Sequence, residues 1–285
     1  MSTAPVVDRT KPGIYPGLTY TEYAAIPAVR HSDLEGFKRT PAHAREAMLH
    51  GGKDTKALAT GHAFHTFLLE PAKFWLAYAV PPKVDRRFKE DKAIWAEWER
   101  THPNVLPVTQ AEVDAYERMR DSILAHPTAA ELLAGDGENE LTVVWEETDE
   151  QTGEVQLCKA RLDRLSGVGG YSFISDLKTA LDAEEREFSK AAGRFGYFSQ
   201  MAWYRRGLAA LSPAERRCAF IAIEKDPPFA VAVHEADERA LAQGERMATR
   251  WLATFMECMR TGVWPAYPAG MSLIDYPSWL VDQLD

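Results

Sequence analysis

Arg161-Leu162-Asp163-Arg164-Leu165-Ser166-Gly167-Val168-Gly169-Gly170-Tyr171-Ser172-Phe173-Ile174-Ser175-Asp176-Leu177-Lys178 is the stretch on which the reading of this chain turns. It has the form of two β-strands joined by a glycine-containing turn, the first arm reaching back to Val155 and the second ending at Thr179. Side chains alternate faces along a strand, so Asp176 and Lys178 point one way and Leu177 is buried behind them. If the two arms pair, Asp163 lies beside Asp176. Two carboxylates and an ammonium at one point are costly unless a cation or a reaction uses them. Magnesium takes hard oxygen ligands, usually one or two carboxylates with waters and substrate phosphate. A lysine two residues after the second Asp can orient or activate an attacking water and steady charge on phosphorus. A bare Asp-x-Lys is common. An Asp before a glycine turn, then a strand Asp-x-Lys, then a helix, is a more demanding pattern, with a surface ion-pair cluster as its alternative.

Outward from this hairpin, Glu140 to Glu147 alternates as a strand, and Asp149 to Gly153 is a turn leading into the hairpin. Glu140 either presents a carboxylate to the site or faces solvent. Beyond Thr179, residues 182–192 are amphipathic, and Tyr197 to Ala210 resumes helical spacing after Gly193 and Gly196. Gln200 and Tyr204 stand four apart on one face of that helix. Cys218–Glu224 and Phe229–Glu235 read as two strands, followed by a long helix over about Ala236–Thr261 and a Trp/Pro-rich tail.

Before the hairpin the chain is helical. Ser32-Asp33-Leu34-Glu35 has the form of a capping box, Thr40-Pro41 starts a helix to about Leu49, and Thr109-Gln110-Ala111-Glu112 opens another. Ala57 to Leu69 forms an apolar-rich helix carrying His62 and His65 three apart. No Cys or third His follows at zinc spacing. Lys83-Val84-Asp85-Arg86-Arg87-Phe88-Lys89 is a basic loop, either solvated surface or a phosphate-contacting segment. Residues 1–30 carry four prolines that discourage helix and read as an extended leader. The element order is that of an α/β or α+β protein with an N-terminal helical layer.

Composition narrows the classes. No apolar run approaches the roughly 18 residues that span a bilayer, and the first residues lack a signal-peptide pattern, so a cytoplasmic protein without membrane contact is expected. Cys158, Cys218 and Cys258 make no Cys-x-x-Cys pair, which argues against a Cys-ligated zinc or iron–sulfur site. The net charge of −9, from 33 basic and 42 acidic residues, excludes a generally sticky nucleic-acid coat but leaves room for a local basic channel.

Several separated motifs, Thr60-Gly61-His62-Ala63-Phe64-His65, Leu69-Glu70-Pro71, Cys158 to Asp163, Asp176-Leu177-Lys178-Thr179, and Gln200 with Tyr204, occur in one order along residues 30–265. In these the chain resembles the nuclease domain of the exonuclease VIII (RecE) type, phage-type exonucleases of the PD-(D/E)xK superfamily. The resemblance implies a restriction-endonuclease-like core with a mixed central sheet flanked by helices. The implied divisions are a leader over 1–30 and a single nuclease domain over 31–285, made of a helical layer (31–135), catalytic core (136–265) and tail (266–285). It implies that Asp163 and Asp176 bind Mg²⁺ (Mn²⁺ substituting) with the Leu177 carbonyl, that Lys178 is catalytic, and that His65 completes the site. Gln200 and Tyr204 then line the DNA side, with Glu140 and Arg161 also lining the site. One departure is Leu162, where the family pattern has Pro before the first Asp. The implied activity is 5′→3′ digestion of linear double-stranded DNA from ends, leaving a 3′ strand for a RecT-like annealing protein in recombination, by a homotetrameric ring. The alternatives are an endonuclease or Cas4-like nuclease on the same fold, and a catalytically silent DNA-end-binding protein.

Overall fold

The computed structural model describes residues 11–51 and 56–274, with only the backbone described over 56–58. The hairpin at its centre consists of β6 (Val155–Val168) and β7 (Tyr171–Ala180), antiparallel from Val168 opposite Tyr171 to Arg164 opposite Ser175. Gly169 and Gly170 make the turn at φ of +57° and +84°, a region that side chains other than glycine rarely enter. On the other side, β5 (Asp136–Thr148) pairs antiparallel with β6 along almost its whole length.

Beyond β7 the sheet changes sense. β8 (Arg217–Glu224) lies parallel to β7, and β9 (Val231–Glu235) lies antiparallel to β8. A parallel neighbour needs a crossover, which α9 (Glu185–Phe195) and α10 (Tyr197–Leu211) supply. Gly196, at φ +73°, ends the first helix and begins the second. The central sheet is therefore mixed, and helices cover both faces.

One face packs on α10 and α11 (Glu238–Thr261). Trp145 and Trp203 meet edge-on at 4.9 Å between ring centroids, and Trp203 Nε1 donates to the Lys159 carbonyl, anchoring α10 to β6. Gly207 is required there, because a Cβ would come within 2.6 Å of the Trp145 ring. The opposite face packs on α4 (Lys56–Leu69), α7 (Gln110–Ala125) and α8 (Pro127–Ala134), with Phe64, Phe67, Phe74 and Tyr116 against Leu177, Ile221 and Ile223. Leu177 is buried behind the Asp-x-Lys pair, as its position in the strand requires.

Capping explains where the helices begin. Thr109 and Glu112 exchange both bonds of a capping box at α7, and Thr40 caps α3 (Pro41–His50) with Pro41 at its first turn. At Ser32 the expectation is corrected. The four-residue α2 (His31–Leu34) starts one residue earlier, with Asp33 reaching back to the Arg30 N–H and side chain. Between α4 and α7 the chain makes α5 (Pro71–Ala77), a minimal parallel pair of β3 (Tyr78–Ala79) and β4 (Leu106–Pro107), and α6 (Lys89–Thr101).

The extended leader is also corrected over its described part. Residues 1–10 lie outside the described residues, but β1 (Gly13–Tyr15) adds to the edge of β5, α1 (Tyr20–Ala25) follows, and β2 (Val29–Arg30) runs parallel to β6. Thr19 and Glu22 form a capping box at α1, a signal that the surrounding prolines outweigh in a reading of the sequence. Lys159 explains why the segment stays down. Its buried ammonium donates to the carbonyls of Tyr23, Ala24 and Ile26 at 3.0, 3.2 and 2.7 Å, closing the end of α1. Of the tail, residues 266–274 follow α11 without regular structure and 275–285 lie outside the described residues. Among the described residues no helix is long and apolar enough to cross a membrane.

Candidate active site

The site forms where β6 and β7 part. Arg164 faces Ser175, so Asp163 and Asp176 would be the next pair, yet strand pairing stops there. Instead the Asp163 side chain takes over, its Oδ2 accepting from the Leu177 N–H at 2.8 Å. Two carboxylates carried by adjacent strands at a point of divergence leave room between the strands for a third participant.

Two further side chains reach Asp163. His65, on α4, places Nδ1 3.4 Å from Asp163 Oδ2. Glu140, on β5, lies in register with Asp163 but has φ +52°, a left-handed conformation uncommon for a residue with a Cβ. Strand pairing skips it, from Asn139–Arg164 to Leu141–Leu162. Ligand atoms of His65, Glu140 and Asp163 all lie within 4.8 Å of one another. His62, three residues before His65, is exposed on α4 and outside this cluster.

Asp176 occupies the adjoining position. Its side chain is 1% exposed, and Lys178 Nζ stands 2.6 Å from its Oδ2, while neither carboxylate oxygen has a hydrogen-bond donor of good geometry. Lys178 is held on three sides, by Asp176, by Gln200 Oε1 at 3.0 Å, and by the face of Tyr197 at 4.5 Å. Gln200 in turn donates to the Tyr204 hydroxyl at 2.6 Å. Tyr204 is buried, and its hydroxyl takes the Gln200 amide whose oxygen holds Lys178. The four-residue spacing of Gln200 and Tyr204 thus builds a support for Lys178.

Arg161 is buried between acids. Its guanidinium donates to Glu140 Oε2 at 2.5 Å, Glu70 Oε2 at 3.1 Å and the Leu18 carbonyl at 2.7 Å. Two residues here carry parts that motif reading did not assign, Glu70 as a partner of Arg161 and Tyr197 against Lys178. Glu70 sits in the Leu69-Glu70-Pro71 motif, whereas nothing in the spacing around Tyr197 distinguishes it from a packing aromatic.

The electrostatics follow from crowding. Burial, and then the charge of Asp176, pushes the Asp163 carboxyl well above the ordinary range. Burial and then Asp163 raise Glu140 to about 7. His65 is driven down by burial and by the Lys178 charge. Burial opposes the charge on Lys178, but Asp176 and Asp163 outweigh it and raise its pKa. Asp163 and Glu140 therefore resist carrying their negative charges side by side. A divalent cation would relieve that resistance, and the Asp176 carboxylate beside Lys178, His65 and the Glu140–Asp163 pair are donors that suit one.

The model of a family described as "PDDEXK-like domain of unknown function (DUF3799)" matches residues 30–275. No curated protein matches the chain. Among solved structures, a Eubacterium rectale protein described as a "putative exonuclease" is similar with a TM-score of 0.59 at 14% identity, covering 93% of this chain and 97% of that one. That likeness speaks for the fold alone. The protein SSO0001 (14% identity, 74% of this chain and 81% of that one) and VC1899 from Vibrio cholerae (8%, 70% and 52%) have TM-scores of 0.30 and 0.23, too low to bear on the argument. The mixed sheet with helices on both faces, the Asp163–Asp176–Lys178 arrangement at its parting strands and the family match agree: the chain belongs to the PDDEXK-like domain family.

Proposed function

We propose that this protein is a divalent-metal-dependent exodeoxyribonuclease that degrades linear double-stranded DNA from its ends, 5′→3′, leaving a 3′ single strand for recombination by annealing. The observation that carries this reading is the meeting of His65, Glu140 and Asp163, from three separate elements, beside the buried Asp176–Lys178 pair.

In this reading Asp163, Asp176, Glu140 and His65 hold Mg²⁺, or Mn²⁺ in its place, with the Leu177 carbonyl completing the set. The ion supplies Lewis-acid polarisation of the phosphate and lowers the pKa of water. The chain's own groups do the rest. The Leu177 N–H fixes the Asp163 carboxylate, and depression of the His65 pKa keeps its ring neutral, the form a ligand must have. Lys178 stays protonated and directs its ammonium at the attacking water and at charge building on phosphorus. A bond would form from the water oxygen to phosphorus as the phosphorus–O3′ bond breaks, the water giving up a proton to solvent and O3′ taking one from solvent, to leave a 5′-phosphate and a 3′-hydroxyl. Residues 31–285 act as one nuclease domain, and the N-terminal strand at Gly13–Tyr15 joins its sheet.

Two wider proposals rest on the resemblance to exonuclease VIII-type enzymes, a homotetrameric ring and a RecT-like annealing partner; a cytoplasmic setting is proposed beside them. A ring with a basic lumen and acidic exterior reconciles DNA binding with a net charge of −9. The test is digestion with Mg²⁺ of linear duplex, labelled at either the 5′ or the 3′ end, beside covalently closed circles. Loss of linear DNA alone, with early release of the 5′ label, is the expected result. Nicked circles would make the protein an endonuclease, and binding to ends without digestion would make it a silent end-binding protein.

A further inference from the structure

The sequence motif that ends in Asp163 carries two cations, Lys159 and Arg161, on the face of β6 beneath the N-terminal segment. Lys159 is satisfied by three carbonyls of that segment. Arg161 is different, because its partners belong to the acidic site. All three guanidinium nitrogens have an acceptor within the protein: Nε with Glu140, Nη2 with Glu70, and Nη1 with the Leu18 carbonyl. Its side chain is 8% exposed. A guanidinium with a bond from each nitrogen and so little exposure is poorly placed to fork onto a phosphate.

Glu140 shows what that arrangement accomplishes. Its left-handed backbone interrupts β5 at the point where strand pairing skips from Asn139 to Leu141. Its carboxylate lies in the same cluster as His65 and Asp163, with the possible ligand atoms of the three within 4.8 Å of one another. A left-handed residue is uncommon inside a strand, and the side-chain group that grips Glu140 Oε2 there is Arg161. Glu70, which Lys73 also pairs with, grips the guanidinium from the far side. Leu18 grips it from above, so the segment that precedes α1 is tied to the same point.

We infer that Arg161 is a positioning residue for the metal centre: it aims the Glu140 carboxylate into the His65–Asp163 cluster and does not contact DNA. Glu70 and the Leu18 carbonyl hold Arg161 in that pose. The inference rests on the reading of this cluster as a metal site.

The experiment is Mn²⁺ binding to the purified full chain, followed by calorimetry and by the resonance signal of free Mn²⁺. It compares the native protein with Arg161→Met, Arg161→Lys, Glu70→Gln, Glu140→Ala and the Arg161→Met/Glu140→Ala double variant. Partners that orient metal ligands typically set affinity by about 10–100-fold, so Arg161→Met should weaken Mn²⁺ binding by about that much, with Arg161→Lys recovering part. Glu70→Gln should act in the same direction but less. In the Glu140→Ala background, Arg161→Met should add nothing, because its effect passes through Glu140. Digestion by Arg161→Met should return toward the native kcat at raised Mn²⁺, with KM for DNA unchanged. Native Mn²⁺ affinity in well-folded Arg161→Lys and Glu70→Gln, additive losses in the double variant, or an effect confined to KM for DNA would each overturn the inference while leaving the metal-site reading standing. A native protein that binds no Mn²⁺ would overturn both.

Discussion

At the scale of single residues the site is a problem of charge confined in a small volume. Lys178 is the cation buried with Asp176, whose side chain is 1% exposed beside it, and its removal takes away that carboxylate's ionic partner. Breaking one side of a buried pair typically costs on the order of 3–5 kcal/mol. Lys178→Ala should therefore melt several degrees lower than the native protein in a chelating buffer, regain much of that difference with Mg²⁺, and lose turnover by about 10²–10³-fold even when metal is saturating. Melting curves with and without Mg²⁺, together with single-turnover digestion, check this; full activity would show that Lys178 is not the catalytic lysine.

His31 makes a second prediction of this kind. It is buried against α10, with Nε2 2.9 Å from Ser199 Oγ, and burial followed by the charges of Lys38 and Lys178 pushes its pKa from 6.5 down to about 3. A lowered folded-state pKa on a histidine means that the unfolded chain binds the proton and the folded chain does not. The associated stability is whole above about pH 6.5 and is lost as pH falls from there toward 3, at up to roughly 1.4 kcal/mol per pH unit. His31→Gln should flatten the acid limb of the stability curve between pH 6 and 4, as read by denaturant unfolding at several pH values. An unchanged slope would mean that His31 takes up a proton in the folded state.

At the scale of elements, the unexpected piece is the N-terminal strap. Leu18, Tyr23, Ile26 and Val29 are buried, and Lys159 and Arg161 are both held by its carbonyls. A chain beginning at Pro27 loses three of those buried side chains and leaves the Lys159 ammonium, buried to 4% exposure, without any of its three carbonyls. Each buried apolar side chain is worth roughly 1.5–3 kcal/mol, so the truncated chain should lose several kcal/mol. Expression as aggregate, or a melting temperature more than about 10 °C lower, is the expected outcome; native stability would show the strap to be dispensable. The strap also shows how local signals compete. Pro5, Pro12, Pro16 and Pro27 speak against helix, yet Thr19 and Glu22 form a complete capping box between the last two.

At the scale of the molecule, a protein of net charge −9 that binds DNA has to confine its basic groups. Binding of a linear duplex, measured in Ca²⁺ to suppress turnover, should weaken steeply with salt. About six phosphate contacts would lower affinity by about 10³ between 50 and 200 mM salt. Light scattering should give a mass near four times the 31.9 kDa of the chain. A monomeric mass would remove the ring from the proposal without touching the site.

Local chemistry made much of this protein legible in advance. The Gly169-Gly170 turn, the alternation of Asp176, Leu177 and Lys178, and the caps at Thr40 and Thr109 are decided by residues within a few positions of one another, so the sequence by itself determined the central hairpin and several helix starts, whereas the strands stop pairing at Arg164 and Ser175, one step short of Asp163 and Asp176. Tertiary structure alone decided the rest. His65, Glu140 and Asp163 come from a helix and two strands and meet only because α4 packs on the sheet where β6 and β7 part. Whether Glu140 faced solvent or the site depended on a left-handed backbone that its residue type does not favour. That Tyr204 reaches Lys178 through Gln200 depended on how α10, which carries both, packs on the sheet. The physical reason is one of range: turns and caps are settled by neighbours in sequence, whereas the direction of a buried charge is settled by whichever partners the folded core brings within hydrogen-bonding distance.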